Sequence, residues 1–206
     1  MAPYARSLAA RARWSVLYGR SRQVPASVAA VVVCAVAVWS LPRSGTDGDP
    51  RMMALLLTAV VAVGAIGLSG QDLALDRTAA IRWAPRRAAH VLLIGALAVG
   101  VLLVLSALSV FSAPGGGPVP VAYAVRNGAG PAGVAAIGAT VWGGRYAWAL
   151  PVGWCVAAFF VPASGGPAAQ VATWMLQPSG TTAATWTSAV LAVGGGLVYA
   201  LAGPRR

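Results

Sequence analysis

Apolar residues occupy six stretches of this 206-residue chain, and the polar residues are concentrated in the gaps between them. The stretches have 17 to 24 residues, close to the roughly 20 that a helix needs to cross about 30 Å of hydrocarbon. The pattern predicts an all-α, polytopic membrane helix bundle with six transmembrane helices in a single domain over residues 24–206. The predicted spans are 24–41, 52–70, 88–111, 127–144, 146–162 and 183–202.

The arginines predict the orientation of this bundle, because positive charge is retained on the cytoplasmic side of a membrane. With six spans, 12 arginines fall on the side that holds both termini and 3 on the other. Arg126, Asn127 and Pro131 interrupt the start of the fourth span with charge and a helix breaker. Omitting that span leaves a poorer division of 9 to 6. We therefore expect six spans with both termini in the cytoplasm.

Composition points to a membrane protein, since 58% of the residues are hydrophobic and only 9% are charged. The net charge of +11 would suggest nucleic acid in a soluble protein. Here the arginines lie in short loops beside the spans, where orientation and contact with anionic lipid account for them. We expect a multi-pass protein of the cell (plasma) membrane and no nucleic-acid partner.

Residues 1–23 precede the first span and predict a helix at the cytoplasmic membrane surface. At 100° per residue, arginines share one side of this helix and aromatic residues share another. Rings at the headgroup level with arginines that reach lipid phosphates are typical of an interfacial helix. A flexible basic tail is the alternative. The predicted membrane-interface residues are Arg6, Arg13, Trp14, Tyr18 and Arg20.

The cytoplasmic connection 71–89 is the most charged internal segment. It has acids in its first turn and arginines later, which suits the dipole of a helix. Pro85 then ends the pattern, and Arg86 and Arg87 mark the return to the membrane. The segment predicts a short amphipathic helix on the cytoplasmic face.

The outer connection 163–182 carries no charge and contains the apolar run 171–176. Six residues cannot cross a bilayer, so we expect a re-entrant or interfacial turn.

Several kinds of chemistry are excluded by the residue types. The chain has no Lys and therefore no phosphate-binding loop of the Gly-x-x-x-x-Gly-Lys type. One His and no Glu exclude a His-Glu-x-x-His zinc site. Cys34 and Cys155 fall inside predicted spans without metal or disulfide spacing. We expect no catalytic residue, metal or cofactor in this chain, and an apolar or amphiphilic cargo if it transports one, since no span has an acid at its centre.

One enzymatic hypothesis remains open. The sequence around Ser69, Gly-Leu-Ser-Gly, matches the Gly-x-Ser-Gly of rhomboid proteases, and His90 with Gly95 is similar to their histidine helix. The match covers about ten residues and lies on the second and third spans, whereas those enzymes use the fourth and sixth. A helix end at Ser69 and an interfacial cation at His90 are the structural alternatives.

Taken together, the layout resembles the permease subunits of ATP-binding-cassette exporters of the six-helix, type-2 export class. The resemblance rests on the surface helix, the short helix between spans two and three, and the re-entrant turn between spans five and six. It implies that two permeases, identical or paralogous, pair with cytoplasmic ABC-type ATPases that dock on the short helix. The residues implied in ATPase contact are Leu73, Asp76, Arg77, Arg82 and Trp83. A non-enzymatic six-span accessory or assembly protein is the alternative.

Overall fold

A computed structural model describes residues 49–69, 83–108, 117–162 and 166–205. These residues are helical, with turns between the helices and no strand among them. The predicted first span and the surface helix before it lie outside the described residues. The helices are α1 (Pro50–Ala65), α2 (Trp83–Ala107), α3 (Val121–Val141), α4 (Ala149–Phe160), α5 (Pro167–Ala172) and α6 (Thr182–Ala202).

Three helices are long and apolar enough to cross a membrane, judged by length and composition: Pro50–Leu68, Trp83–Ala107 and Thr182–Ala202. The first of these is α1 with the 3₁₀ turn Ile66–Leu68 that continues it. Helix α2 has 25 residues, a length of about 37 Å. The chain is therefore that of a membrane-associated protein, as the hydrophobic pattern predicted.

The surface of the bundle supports the same conclusion. Large apolar side chains of α2 and α6 point away from the core, among them Leu92, Val104, Val193 and Leu201. At the end of α4, Phe160 is 84% exposed. Aliphatic and aromatic surface of this extent is unfavourable in water and is the normal outer face of a helix bundle in lipid.

Helix α3 lies at the centre of the described bundle and packs against α1, α2, α4 and α6. Of its 21 residues, 14 are buried. It begins at Val121, whereas the sequence pattern placed the fourth span at about 127–144. The helix runs through Arg126 and Pro131 without ending. The Arg126 guanidinium donates to carbonyl groups of residues 177 and 178, and the Arg126 carbonyl accepts from the Ser188 hydroxyl of α6.

Two further boundaries differ from the sequence-based prediction. The described part of α2 starts at Trp83 and continues through Pro85, where the sequence pattern predicted that a helix ends. In the region predicted as the fifth span, the 3₁₀ turn Gly144–Tyr146 precedes an α4 of 12 residues. That helix is about 18 Å long, shorter than the hydrocarbon thickness.

Small residues allow α3 and α6 to approach until their backbones touch. A Cβ atom built on Gly133 would lie 2.1 Å from the carbonyl oxygen of Leu191. One built on Gly195 would lie 2.2 Å from the carbonyl oxygen of Gly133. Close approach through glycine is a common way for membrane helices to gain contact area.

Long-range hydrogen bonds define the two ends of the bundle. At one end, the Tyr199 hydroxyl donates to the Leu68 carbonyl at 2.9 Å, and the Arg205 N–H donates to the Ala139 carbonyl at 3.0 Å. The C-terminal ends of α1, α3 and α6 therefore meet there. At the other end, the Val119 N–H donates to the Ser106 hydroxyl at 2.8 Å, which joins the end of α2 to the start of α3.

Candidate polar site in the bundle core

Three polar side chains lie in the first two turns of α3 and are buried in the bundle. Tyr123 is 4% exposed, Arg126 is 6% exposed and Asn127 is 2% exposed. The sequence analysis had counted Arg126 as a loop residue at the boundary of the fourth span. The structure corrects this position, because Arg126 lies inside the helix and its guanidinium is covered by the chain that follows α5.

The Arg126 guanidinium is held by two carbonyl groups and one ring. Its Nη1 donates to the Pro178 carbonyl at 2.9 Å, and its Nη2 donates to the Gln177 carbonyl. Its Cζ lies 4.9 Å from the centre of the Tyr123 ring, within the range of a cation–π contact. Arg126 thereby ties the connection between α5 and α6 to the central helix.

That connection is itself folded into the bundle. Trp174 is fully buried, and its ring occupies the space beside Gly130, where a Cβ would lie 2.3 Å from the indole. The Gln177 amide donates to the Thr173 hydroxyl at 2.8 Å and closes the turn between them. The apolar run 171–176 thus does not cross the membrane, and its central residues pack inward as a re-entrant turn would.

Helix α6 completes this region. The Ser188 hydroxyl donates to the Arg126 carbonyl at 2.7 Å, and Ser188 is itself buried. Ala184, one turn before it, belongs to the small cluster of buried residues that contains Trp174. The polar residues of α3 are therefore enclosed by α6 on one side and by the 173–178 turn at the end.

Several polar atoms of this region have no hydrogen-bond partner within the described part of the chain. They are the Arg126 Nε and the Trp174 indole nitrogen. The Tyr123 hydroxyl and the Asn127 amide have no other described partner, but their side chains interact with each other. Pro131 also has no N–H to donate to the Asn127 carbonyl. An unpaired buried polar atom costs about 1–3 kcal/mol, so we expect water or a part of the chain outside the described residues to meet these atoms.

The opposite end of the bundle has a different character. Arg86, Arg87, Arg145 and Arg205 lie there, and a cavity of about 550 Å³ opens between the end of α1 and the turn before α4. The cavity is mainly apolar, with Ile66, Arg145 and Trp148 in its wall. This end of the bundle therefore holds these four arginines and a mainly apolar cavity, whereas the other end holds the buried polar residues of α3.

Most of the residues that the sequence analysis proposed for function lie outside the described residues. These are the predicted membrane-interface residues Arg6, Arg13, Trp14, Tyr18 and Arg20, and the predicted ATPase-contact residues Leu73, Asp76, Arg77 and Arg82 of the 71–89 connection.

Trp83, the remaining residue proposed for ATPase contact, is the first residue of α2 and is half-buried. The Arg86 guanidinium lies 5.6 Å from its ring centre. Trp83 therefore lies in the same helix as Arg86, at the arginine-rich end.

Ser69 and His90, the two residues that resemble the rhomboid serine and histidine, both lie in the described ranges. Ser69 follows the 3₁₀ turn that ends α1, and its hydroxyl donates to the Ile66 carbonyl at 2.8 Å. His90 lies in α2, about two turns from its start. The hydroxyl contact is that of an ordinary helix end, which is the structural alternative stated above.

The burial of Tyr123, Arg126 and Asn127 on α3 was not predicted from the sequence. It treated Arg126 and Asn127 as an interruption of the span, since single-residue hydropathy counts each of them as unfavourable. A useful signal was present in the spacing. Tyr123, Arg126 and Asn127 stand at i, i+3 and i+4, which places them on one face of the helix.

A scan against protein-family models and searches of curated proteins and of solved structures give no match to this chain.

Proposed function

We propose that this protein is the membrane-spanning permease subunit of an ATP-driven exporter, energised by a separate cytoplasmic ATPase chain. In this proposal the chain crosses the plasma membrane six times with both termini inside, and it works as a pair with a second copy or a paralogue. The cargo is an apolar or amphiphilic compound.

Charge supports the proposed orientation. In the described residues, Arg86, Arg87, Arg145 and Arg205 lie in or next to the connections at one end. At the other end, Arg51 neighbours Asp49, whose carboxylate accepts a hydrogen bond from the Arg51 N–H at 2.8 Å, and Arg126 is buried. Four of the six arginines in the described ranges thus lie at the end that the positive-inside rule assigns to the cytoplasm.

The observation that carries the proposal is the inserted turn between α4 and α6. Trp174 and Met175 are buried in the bundle at the end opposite the arginines, and Arg126 holds the chain that follows them. A re-entrant segment between the fifth and sixth spans is the feature that the type-2 export permeases are expected to share with this chain.

The described interior favours an amphiphilic cargo over a cation. Asp49 is the one acidic residue in the described ranges, and it caps the start of α1 at the end of the bundle. Ion and proton pathways in membranes are normally marked by carboxylates within the spans. The described helices contain no such carboxylate and instead bury the guanidinium of Arg126.

Coupling to the ATPase is assigned to the connection between α1 and α2. This connection contains Leu73, Asp76, Arg77 and Arg82 and ends at Trp83, at the arginine-rich end. Helix α2 packs directly against the central helix α3. A displacement of the connection by an ATPase would therefore be passed to α2 and from there to the core.

The proposal is tested by purifying the tagged full-length chain in a mild detergent and identifying the proteins that co-elute. A soluble ATPase at a stoichiometric level is the expected result. Asp76→Arg should remove the ATPase from the complex while membrane insertion remains intact, because reversed charge disrupts docking register. The matched control is Asp47→Arg, which makes the same change in the predicted outer loop and should retain the ATPase.

Two results would overturn the proposal. If the chain elutes without an ATPase from cells that express its chromosomal neighbours, the accessory or assembly role is favoured. If a fluorophosphonate probe labels the wild-type chain but not Ser69→Ala, the chain is a serine hydrolase.

A further inference from the structure

The cavity of about 550 Å³ at the arginine-rich end has an apolar wall and a single charged residue. Ala62, Ile66 and Trp148 contribute to the wall, and Arg145 is the one charged residue among those that line the cavity. On the side of α1 the lining runs from Ala62 to Ser69, which is about 10 Å along the helix axis. The cavity therefore reaches from the charged end of the bundle into the apolar part of a helix long enough to span a membrane.

Aromatic residues indicate the level of the membrane at which this cavity opens. Trp142, Tyr146 and Trp148 lie in or beside the turn before α4, and all three are exposed. The Arg145 guanidinium lies 5.9 Å from the Tyr146 ring centre. Tryptophan and tyrosine are enriched where the headgroups of a membrane meet its hydrocarbon, because one end of each side chain is apolar and the other is polar. The cavity therefore opens at the headgroup level, with a cation at its mouth.

Main-chain contact holds the two walls of the cavity together. A Cβ built on Gly144 would lie 2.7 Å from the Ser69 nitrogen and 2.8 Å from the Leu68 carbonyl oxygen. The same carbonyl accepts the hydrogen bond from the Tyr199 hydroxyl at 2.9 Å. The end of α1 is thus fixed both to the turn before α4 and to α6. The shape of the cavity depends on these backbone contacts and not on mobile side chains.

Charge and polarity select the occupant. In the described ranges Asp49 is the one acidic residue, and it caps α1 at the opposite end of the bundle. Arg145 is exposed and always protonated, so an anionic group beside it gains a charge-assisted hydrogen bond. A free anion would leave the apolar wall uncovered, and an uncharged hydrocarbon chain would leave Arg145 without a counter-charge. A lipid with an anionic headgroup meets both requirements.

Two parts of the chain outside the described residues are the rival occupants. The predicted first span would bring Arg20 and Arg22 to the same end as Arg145, and like charges repel. The connection that follows Ser69 contains Asp72, which has the opposite charge. To fill the cavity, however, this connection would have to bring backbone N–H and carbonyl groups among apolar side chains, where unpaired polar groups are costly. An acyl chain has no such groups.

We propose that this cavity binds an anionic glycerophospholipid. Its phosphate lies beside Arg145, and one acyl chain follows the wall of α1 from Ile66 towards Ala62. Basic pockets between membrane helices bind anionic headgroups by the same combination of charge and apolar surface. The site belongs to the isolated chain and requires neither the exporter role nor an ATPase.

The test uses the full-length chain, purified in a neutral detergent and stripped of native lipid. Dioleoyl-phosphatidylglycerol, dioleoyl-phosphatidylcholine and glycerol phosphate are titrated separately, and native mass spectrometry counts the molecules that the protein retains. The tightest site should prefer phosphatidylglycerol over phosphatidylcholine by about fivefold, the effect of one arginine beside an anionic lipid. Glycerol phosphate lacks acyl chains and should not be retained.

Variants locate the site. Arg145→Gln should abolish the preference for phosphatidylglycerol and leave the affinity for phosphatidylcholine unchanged. Ala62→Leu narrows the apolar part of the cavity and should weaken the binding of both lipids by about tenfold, since about two methylene groups of the acyl chain lose their place. Arg86→Gln is the matched control. It removes another exposed arginine at the same end, one that lies 5.6 Å from the Trp83 ring centre, and should leave both affinities unchanged.

Four outcomes would overturn the inference. Equal affinity of the wild type for the two lipids would mean that the negative charge is not recognised. Retention of glycerol phosphate at the affinity of phosphatidylglycerol would mean that the ligand is a free anion. An equal loss in Arg86→Gln and Arg145→Gln would indicate a general basic surface. Unchanged binding in both Arg145→Gln and Ala62→Leu would place the lipid elsewhere.

A thermal unfolding experiment identifies the rival occupant directly. If Asp72→Asn lowers the unfolding midpoint of the wild type but not that of Arg145→Gln, the two side chains are coupled, and the connection after Ser69 occupies the mouth of the cavity in place of lipid. Additive effects of the two substitutions are the result expected for the lipid site. None of these measurements involves an ATPase, so their failure is distinct from failure of the co-purification test.

Discussion

The contact between α3 and α6 leads to a quantitative prediction for the substitution Gly195→Ala. The two backbones meet at Gly133 and Gly195, and the Cβ that the substitution adds would lie 2.2 Å from the Gly133 carbonyl oxygen and 3.0 Å from its Cα. Both obstacles are main-chain atoms of a central helix. Neither can rotate away as a flexible side chain would.

The size of the effect follows from the displacement that the new methyl group requires. Ordinary van der Waals contact begins near 3.4 Å, so α6 must withdraw from α3 by at least about 1 Å. A gap of that size removes a quarter to a half of the attraction between the separated atoms. Overpacking of this kind costs about 1–3 kcal/mol, and rigid obstacles place Gly195→Ala at the upper end of that range.

A matched control is available on the next residue of the same helix. A Cβ on Gly196 meets no heavy atom within 4 Å. Both variants gain the same helix propensity, up to about 1 kcal/mol for Gly to Ala. The difference between them therefore reports the steric cost alone, and we expect Gly195→Ala to be about 2–3 kcal/mol less stable than Gly196→Ala.

The assay is reversible unfolding in mixed micelles, with increasing denaturing detergent and tryptophan fluorescence as the signal. Both variants and the wild type are measured in the same micelles. Equal unfolding midpoints for Gly195→Ala and Gly196→Ala would refute the close helix contact on which the reasoning depends.

Three further predictions follow from other contacts. Arg126→Gln removes the hydrogen bonds to the chain after α5. It should lower the free energy of unfolding by about 2–4 kcal/mol and make the 173–178 turn sensitive to added protease. As a control, Arg51→Gln should change the free energy of unfolding by less than about 0.5 kcal/mol. Tyr199→Phe removes the bond to the Leu68 carbonyl and should cost about 1 kcal/mol in the same unfolding assay, with the exposed Tyr146→Phe as an unaffected control. Cys155 is buried and should react with a maleimide only after unfolding. The reaction is measured by mass spectrometry on the Cys34→Ser variant, in which Cys155 is the remaining cysteine. Labelling of the native protein would contradict the buried position of Cys155.

Much of the helical organisation was predictable because it depends on properties that a linear pattern records. Runs of apolar residues coincide with α1, α2 and α6, the three helices long and apolar enough to span a membrane. Arg86, Arg87 and Arg145 mark the start of α2 and the turn before α4. The six-span count, the surface helix and the coupling contact remain predictions, since much of that sequence lies outside the described residues.

The candidate site was not predictable in the same way. Arg126 has its partners 51 and 52 residues further along the chain, and no local pattern indicates such a pairing. Hydropathy counts its charge as a cost that ends a span. The folded chain offsets that cost with carbonyl groups of a distant turn, and for this reason α3 continues where the sequence suggested an interruption.

The amino-acid sequence by itself determined that this is a helical, membrane-associated protein, because hydrophobic length acts residue by residue. Only the tertiary structure decided that α3 is the central helix, that Gly133 and Gly195 bring two backbones into contact, and that Arg126 donates to the chain that follows Trp174. These features arise from contacts between residues far apart in the chain. Their free energies exist only once the helices have packed.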